Sequence, residues 1–191
     1  MNQYCKKRSS AIFPALLALS LAAASQQAVA DQAGTSRIRL FGQNGVKVDV
    51  YKNSSCVGGG ATSISVSGGL GDAFSSFLGS PSNVRLGIKD TPNTLNSSKR
   101  NGILSTAYFR EYEVASDQAL TIAASFRSSP SRKYLACDVV SATFTPQAGK
   151  DYEAAFDIRS DQCELVINEV QENDKEIVLR DVEAALASRC K

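Results

Sequence analysis

The chain has no histidine, no tryptophan, one methionine and five prolines in 191 residues. Without an imidazole there is no Ser-His-Asp or Cys-His relay and no unperturbed acid/base group near neutral pH. The commonest ligand for zinc, copper and haem iron is missing as well, so no metal and no cofactor is expected. Lack of tryptophan removes the usual stacking platform of a sugar-binding groove. Charge of one sign is also scarce. A formal charge of +2 supplies no basic face for a run of phosphates, and nucleic acid is not an expected partner.

Most of that small positive charge sits at the start. Lys6, Lys7 and Arg8 precede an apolar run from Ala11 to Ala24, and Ala28-Val29-Ala30 forms a small-x-small cleavage site. Residues 1–30 therefore read as a secretory signal peptide and residues 31–191 as the working domain. The apolar run is too short to cross a bilayer core, which takes roughly 20 residues, and no later stretch is apolar enough to span one. Three of the 21 basic residues and none of the 19 acidic ones precede Asp31, so the remainder carries a net charge of −1. The expected location is periplasmic or secreted.

Cys5 leaves with the signal, and Cys56, Cys137, Cys163 and Cys190 remain. An even number in an exported chain reads as two disulfides. Cys137 and Cys163 flank one expected strand and favour each other, which leaves Cys56 for Cys190. No C-x-x-C pair occurs, so a thiolate metal site is not expected.

The rest alternates between polar and apolar residues with a period of two. Expected strands are Arg37–Phe41, Val46–Tyr51, Thr62–Ser67, Val84–Ile88, Ala107–Val114, Ala119–Phe126, Tyr134–Phe144, Lys150–Ile158 and Cys163–Val170. Asn44-Gly45 predicts a tight hairpin between the first two, and Ala115–Gln118 a hairpin loop between two later ones. Tyr134 to Val170 reads as a three-strand antiparallel meander. Leu70, Ala73, Phe74, Phe77 and Leu78, set between glycines, predict a short helix. In the tail, Ile177–Leu179 suits a strand and Asp181–Leu186 a short helical turn ending at Cys190. The expected fold is a single all-β domain, an antiparallel β-sandwich of about eight or nine short strands, with a small barrel as the rival.

Few residues carry chemistry in this pattern. Glu111 and Glu113 share a strand face about 6 to 7 Å apart and are the pair from which a carboxylate glycan hydrolase would be built. Their bland role is a solvated face. Ser188 and Lys191 form the sole Ser-x-x-Lys, at the extreme C-terminus, and no G-x-S-x-G occurs. Gly58–Gly60 and Gly68–Gly71 lack the Lys-Ser/Thr of a phosphate loop. No catalytic residue is assigned. The polar segment Asp90–Gly102 is long for a compact domain, which makes it the expected contact loop, with Asp90, Asn93, Asn96, Lys99 and Arg100 as candidate contacts. Asn53–Gly60 around Cys56 is a stapled loop of the kind an exported inhibitor presents. Glu169, Glu172, Asp174, Glu176, Asp181 and Glu183 read as a wet acidic face, and Arg127, Arg132 and Lys133 as solvated cations.

Phe144-Thr145-Pro146-Gln147-Ala148-Gly149-Lys150-Asp151-Tyr152-Glu153, between Cys137 and Cys163, resembles a pattern of small bacterial exported β-sandwich proteins. Tyr108–Tyr112 and Ala119–Ile122 resemble the upstream hairpin of the same proteins. These are similar to PEGA-like or transthyretin-like modules. The resemblance covers the second half of the chain and implies an envelope-associated scaffold with no catalytic residues. The expected function is thus a non-enzymatic envelope binding module whose partner is an envelope protein or glycan.

Overall fold

The computed structural model describes residues 34–43, 45–58, 63–66, 83–97, 108–127, 136–159 and 162–191. The signal segment, the helix expected around Leu70–Leu78, Lys99 and Arg100, and Arg132 and Lys133 lie outside the described residues. In chain order the elements are β1 (Thr35–Gly42), β2 (Val46–Lys52), β3 (Cys56–Val57), β4 (Ser63–Ser65), one helical turn α1 (Pro92–Leu95), β5 (Tyr108–Ala115) and β6 (Leu120–Arg127). They continue with β7 (Ala136–Phe144), β8 (Asp151–Arg159), β9 (Gln162–Asn173), β10 (Glu176–Asp181), β11 (Ala185–Leu186) and β12 (Ser188–Arg189).

The domain is all-β. A first five-stranded sheet has the order β10-β9-β8-β1-β5, a second the order β11-β7-β6-β2-β4, and β12 pairs with β3 in a two-stranded sheet. Period-two alternation gives each large sheet one apolar face. Ile38, Leu40, Val114, Tyr152, Ala154 and Ile167 of the first sheet meet Val48, Val50, Leu120, Ile122, Ala142 and Phe144 of the second in one buried cluster. Phe144 and Tyr152 pack edge to face across it, ring centroids 5.1 Å apart. The disulfide Cys137–Cys163 ties β7 to β9, one strand from each sheet, and Cys56–Cys190 ties the C-terminus to β3.

Both expected disulfides are present, but several expected pairings are not. β1 and β2 form no hairpin: they lie in different sheets, and the turn between them carries the chain across the core. The turn itself is real. The Val46 amide donates to the Gln43 carbonyl at 3.0 Å. Gly45 has φ +83°, and a Cβ there would stand 2.6 Å from the Arg127 carbonyl oxygen, so glycine is required twice over. Ala115–Gln118 likewise links β5 of the first sheet to β6 of the second, and of the expected meander only β8 and β9 are neighbours. Nor is the pairing wholly antiparallel. β1 runs parallel to β8, and β12 parallel to β3. Parallel neighbours need a long connection, and more than a hundred residues separate each of these pairs in the chain.

The expected helical turn at the C-terminus is replaced by β11 and β12. Asp181 is still paired to Asn168 in the first sheet, whereas Ala185 is paired to Thr143 in the second. Sheets pack about 10 Å apart; four helical residues rise only about 6 Å and four extended ones about 13 Å. Distance thus overrides helix propensity. Of the strand expected at Val84–Ile88, only Val84 bridges, to Arg110.

Candidate functional site

The outward face of the first sheet is not solvent-exposed along β1. Alternation places Arg37, Arg39 and Phe41 on it, and register aligns each with neighbours on β5 and β8. Phe41 pairs with Phe109, rings 6.1 Å apart, and clusters with Ala155. One row further along stand Glu111, Arg39 and Glu153, and beyond them Glu113, Arg37 and Asp151. Residues 83–97 form a strap across these rows.

The central row is fully buried. Arg39 and both glutamates have side chains 0% exposed. Arg39 donates from Nη2 and Nε to Glu111 Oε1 at 2.8 and 3.1 Å, and from Nη1 to Glu153 Oε2 at 3.3 Å. Nη2 also reaches the carbonyls of Ile88 and Lys89, at 2.8 and 3.0 Å. Removing such ions from water costs several kcal/mol each and is tolerable only when every donor and acceptor finds a partner. The strap supplies them. Amides of Leu86, Gly87 and Ile88 converge on Glu111 Oε2, the latter two at 3.0 and 3.2 Å. Thr91 Oγ1 and Asn93 Nδ2 donate to the two oxygens of Glu153 at 2.8 and 2.5 Å.

Local sequence shapes the strap to match. Gly87 has φ +103°, a left-handed conformation that favours glycine and turns successive amides toward one carboxylate. Thr91 caps α1 in a reciprocal box with Thr94, and Pro92 occupies the first turn, where no amide is needed. At the strap's edge Arg37 grips Asp151 with two bonds of 2.7 Å and the Leu86 carbonyl with a third of 2.8 Å. The Asp151 bond holds the Arg37 guanidinium above even its usual pKa. Arg85 bonds Asp90 at 2.7 Å, which pulls the Asp90 carboxyl below the usual aspartate range. Guanidinium carbons of Arg39 and Arg85 lie 5.0 and 4.9 Å from the centre of the Phe109 ring.

No protein-family model, curated protein or solved structure matches the chain.

Of the candidate contact residues, Asp90 and Asn96 are exposed on the strap. Asn96 donates to the Pro92 carbonyl at 2.8 Å. Asn93 is half-buried and turned inward to Glu153, so it fixes the strap instead of facing a partner. The outward side chains are ones that reading for polar residues passed over: Val84 and Leu86 are 43% exposed and Leu95 is 68% exposed, beside Arg85, Lys89 and Pro92. Glu111 and Glu113 form no open carboxylate pair, because Glu111 is roofed by the strap and its oxygens are occupied. Ser188 lies in β12, beside Cys56, as part of a tethered tail.

The second sheet carries a cleft of about 450 Å³ on its outward face. Lys47, Asp49 and Tyr51 of β2 and Ala123 and Ser125 of β6 form its floor and one wall. Val57 and Arg189, held together beside the Cys56–Cys190 bridge, form the other. Lys47 and Asp49 pair at 2.9 Å, which raises the Lys47 pKa. The stapled loop expected around Cys56 is thus folded against the sheet as β3, at least over its described residues.

Proposed function

We propose that the protein is an exported, non-enzymatic β-sandwich that binds another component of the cell envelope through the strap over residues 83–97. The observation that carries this reading is the cost of the strap's anchor set against the apolar side chains that the strap presents outward. Three charged side chains are buried to hold the strap in place, while its Leu86, Pro92 and Leu95 are left facing outward. Buried ion rows add little net stability but fix geometry. A loop held rigid binds without the ordering cost a mobile loop incurs.

The outward side chains combine apolar Val84, Leu86 and Leu95 with Arg85, Lys89, Asp90 and Asn96, and include no aromatic ring for a sugar to stack on, which favours a protein over a glycan as the partner. Two disulfides suit an oxidising compartment, and the signal read in residues 1–30 suits export. The resemblance to PEGA-like and transthyretin-like modules points to the same scaffold role.

A photo-crosslinking residue placed at Leu95 in the producing cell tests the proposal, with Val139 on the opposite sheet as control. One discrete protein adduct at Leu95 and none at Val139 is expected. Equal labelling at both sites, or turnover of a glycan substrate by the purified protein, would overturn it.

A further inference from the structure

Among the described residues each large sheet has two edges, and at three of the four the outermost strand is short or is bridged by a further segment. The second sheet ends in β4, three residues long, and β11, two residues long. At the β5 edge of the first sheet, the Val84 amide donates to the Phe109 carbonyl at 3.1 Å and the Glu111 amide to the Val84 carbonyl at 3.0 Å. The fourth edge, β10, is six residues long and pairs only with β9 among the described residues. An open edge of that length is a template for another strand.

Its sequence, Glu176-Ile177-Val178-Leu179-Arg180, is self-complementary when run antiparallel against itself about Val178. In that register Glu176 faces Arg180 of a second copy, Arg180 faces Glu176, Ile177 faces Leu179, and Val178 faces Val178 on the two-fold axis. Glu176, Val178 and Arg180 share one face by alternation, and all three are exposed. Ile177 and Leu179 share the other and are half-buried. Arg180 is already paired in register with Glu169 on β9, and Glu169 bonds Lys150 at 2.7 Å. Glu176 of a second copy would extend this to Lys150, Glu169, Arg180, Glu176, alternating in sign throughout. A register shifted by one residue, about the Val178–Leu179 bond, would set Val178 of one face against Leu179 of the other, which the period-two pleat excludes.

We infer that β10 is a homodimer interface, joining two copies of this chain edge to edge into a continuous ten-stranded sheet with Val178 on the dyad. Opposite charges directly across an antiparallel pair attract and like charges repel, and the two-fold axis counts every change twice. Sedimentation velocity on the purified protein over a concentration series tests this. The wild type is expected to dimerise reversibly. Glu176→Arg sets a second guanidinium against Arg180 in both pairs and is expected to weaken the dimer by about tenfold or more. Val178→Lys, which sets two ammonium groups together on the axis, is expected to abolish it. The triple exchange Glu176→Arg, Arg180→Glu and Glu169→Gln recreates both pairs with reversed polarity without setting residue 180 against a carboxylate on β9 of its own chain, and is expected to dimerise more tightly than the Glu176→Arg protein. That recovery shows that the single substitution had not simply unfolded the edge. A monomer at every concentration, a dimer indifferent to Glu176→Arg and Val178→Lys, or a triple exchange no tighter than Glu176→Arg would each overturn the proposal. None of these outcomes bears on crosslinking at Leu95.

Discussion

Arg39 is the side chain on which the strap depends. Its guanidinium sits fully buried between two carboxylates, so shortening it strands two buried negative charges. Removing one partner of a buried ion pair costs about 3–5 kcal/mol, and Arg39→Ala is expected to lower the stability in urea by that amount. Glu111→Ala is expected to act more locally. It orphans the amides of Leu86, Gly87 and Ile88, and hydrogen exchange at those three amides should accelerate well before the core strands respond. The strap also carries a pH signature. Asp90 has its pKa lowered by the Arg85 hydrogen bond, so its contribution is complete above the ordinary aspartate range and is lost as pH falls below about 4 through the lowered value. Both side chains are about half exposed, which limits the effect to less than about 1 kcal/mol. Protection of the strap amides, taken relative to their intrinsic exchange rate at each pH, should therefore fall modestly on acidification, and Asp90→Asn should remove that component. Little of this was legible beforehand. Arg37 and Arg39 alternate with Ile38 and Leu40 and look like one solvated face. Only a cover arriving from 49 residues away along the chain distinguishes the buried arginine from its half-buried neighbour.

At the scale of elements, strands were readable and their partners were not. Period-two alternation located β1, β2, β5, β6, β8 and β9 to within a residue or two at most ends, because in a sandwich every strand has one buried face. Turn chemistry marks where the chain reverses but not which sheet it enters. A glycine with positive φ serves a hairpin and a crossing between sheets equally well, and this separates Gly45 as expected from Gly45 as found. The cysteines said more, since Cys137–Cys163 had to bring the flanks of β8 together whichever sheet held them. In the chain-entropy description that bridge, closing 26 positions, is worth about 3.5 kcal/mol, and Cys56–Cys190, closing 134, about 5 kcal/mol. The two should nevertheless fail differently. The tail beyond Asp181 is held by short pairings and by single bonds such as Ala187 N–H to the Ser141 carbonyl at 3.2 Å. Exchange at Ala187 should accelerate sharply in the Cys56→Ser/Cys190→Ser protein while β6 stays protected. Loss of Cys137–Cys163 should instead lower protection across both sheets together.

For the whole molecule, the two ends of the first sheet are treated in opposite ways. The strap roofs its centre and closes the β5 edge with Val84, whereas β10 extends past the strap with an alternating face of Glu176, Val178 and Arg180. The contacts proposed at the strap and at β10 therefore use separate parts of one sheet, and the dimer would present two straps on a single rigid platform, the arrangement that turns a weak contact into an avid one. Self-association of the folded state also stabilises it by mass action, so thermal stability must depend on protein concentration if β10 pairs. At a total concentration of about a hundred times the dissociation constant, all but about one chain in fifteen is dimeric, and the folded state gains about 1.5 kcal/mol over the dilute monomer. For a domain of this length each kcal/mol moves the midpoint by about 2–4 °C, so calorimetry across that range should show the wild-type midpoint climbing by about 3–6 °C. The Glu176→Arg midpoint should start at the dilute wild-type value and climb by less over the same range. Glu176 is exposed and makes no contact with the Arg39 row, so a midpoint already lowered at the highest dilution would mean the substitution harms the monomer itself. Equal slopes for the two proteins would place any self-association on a surface other than β10.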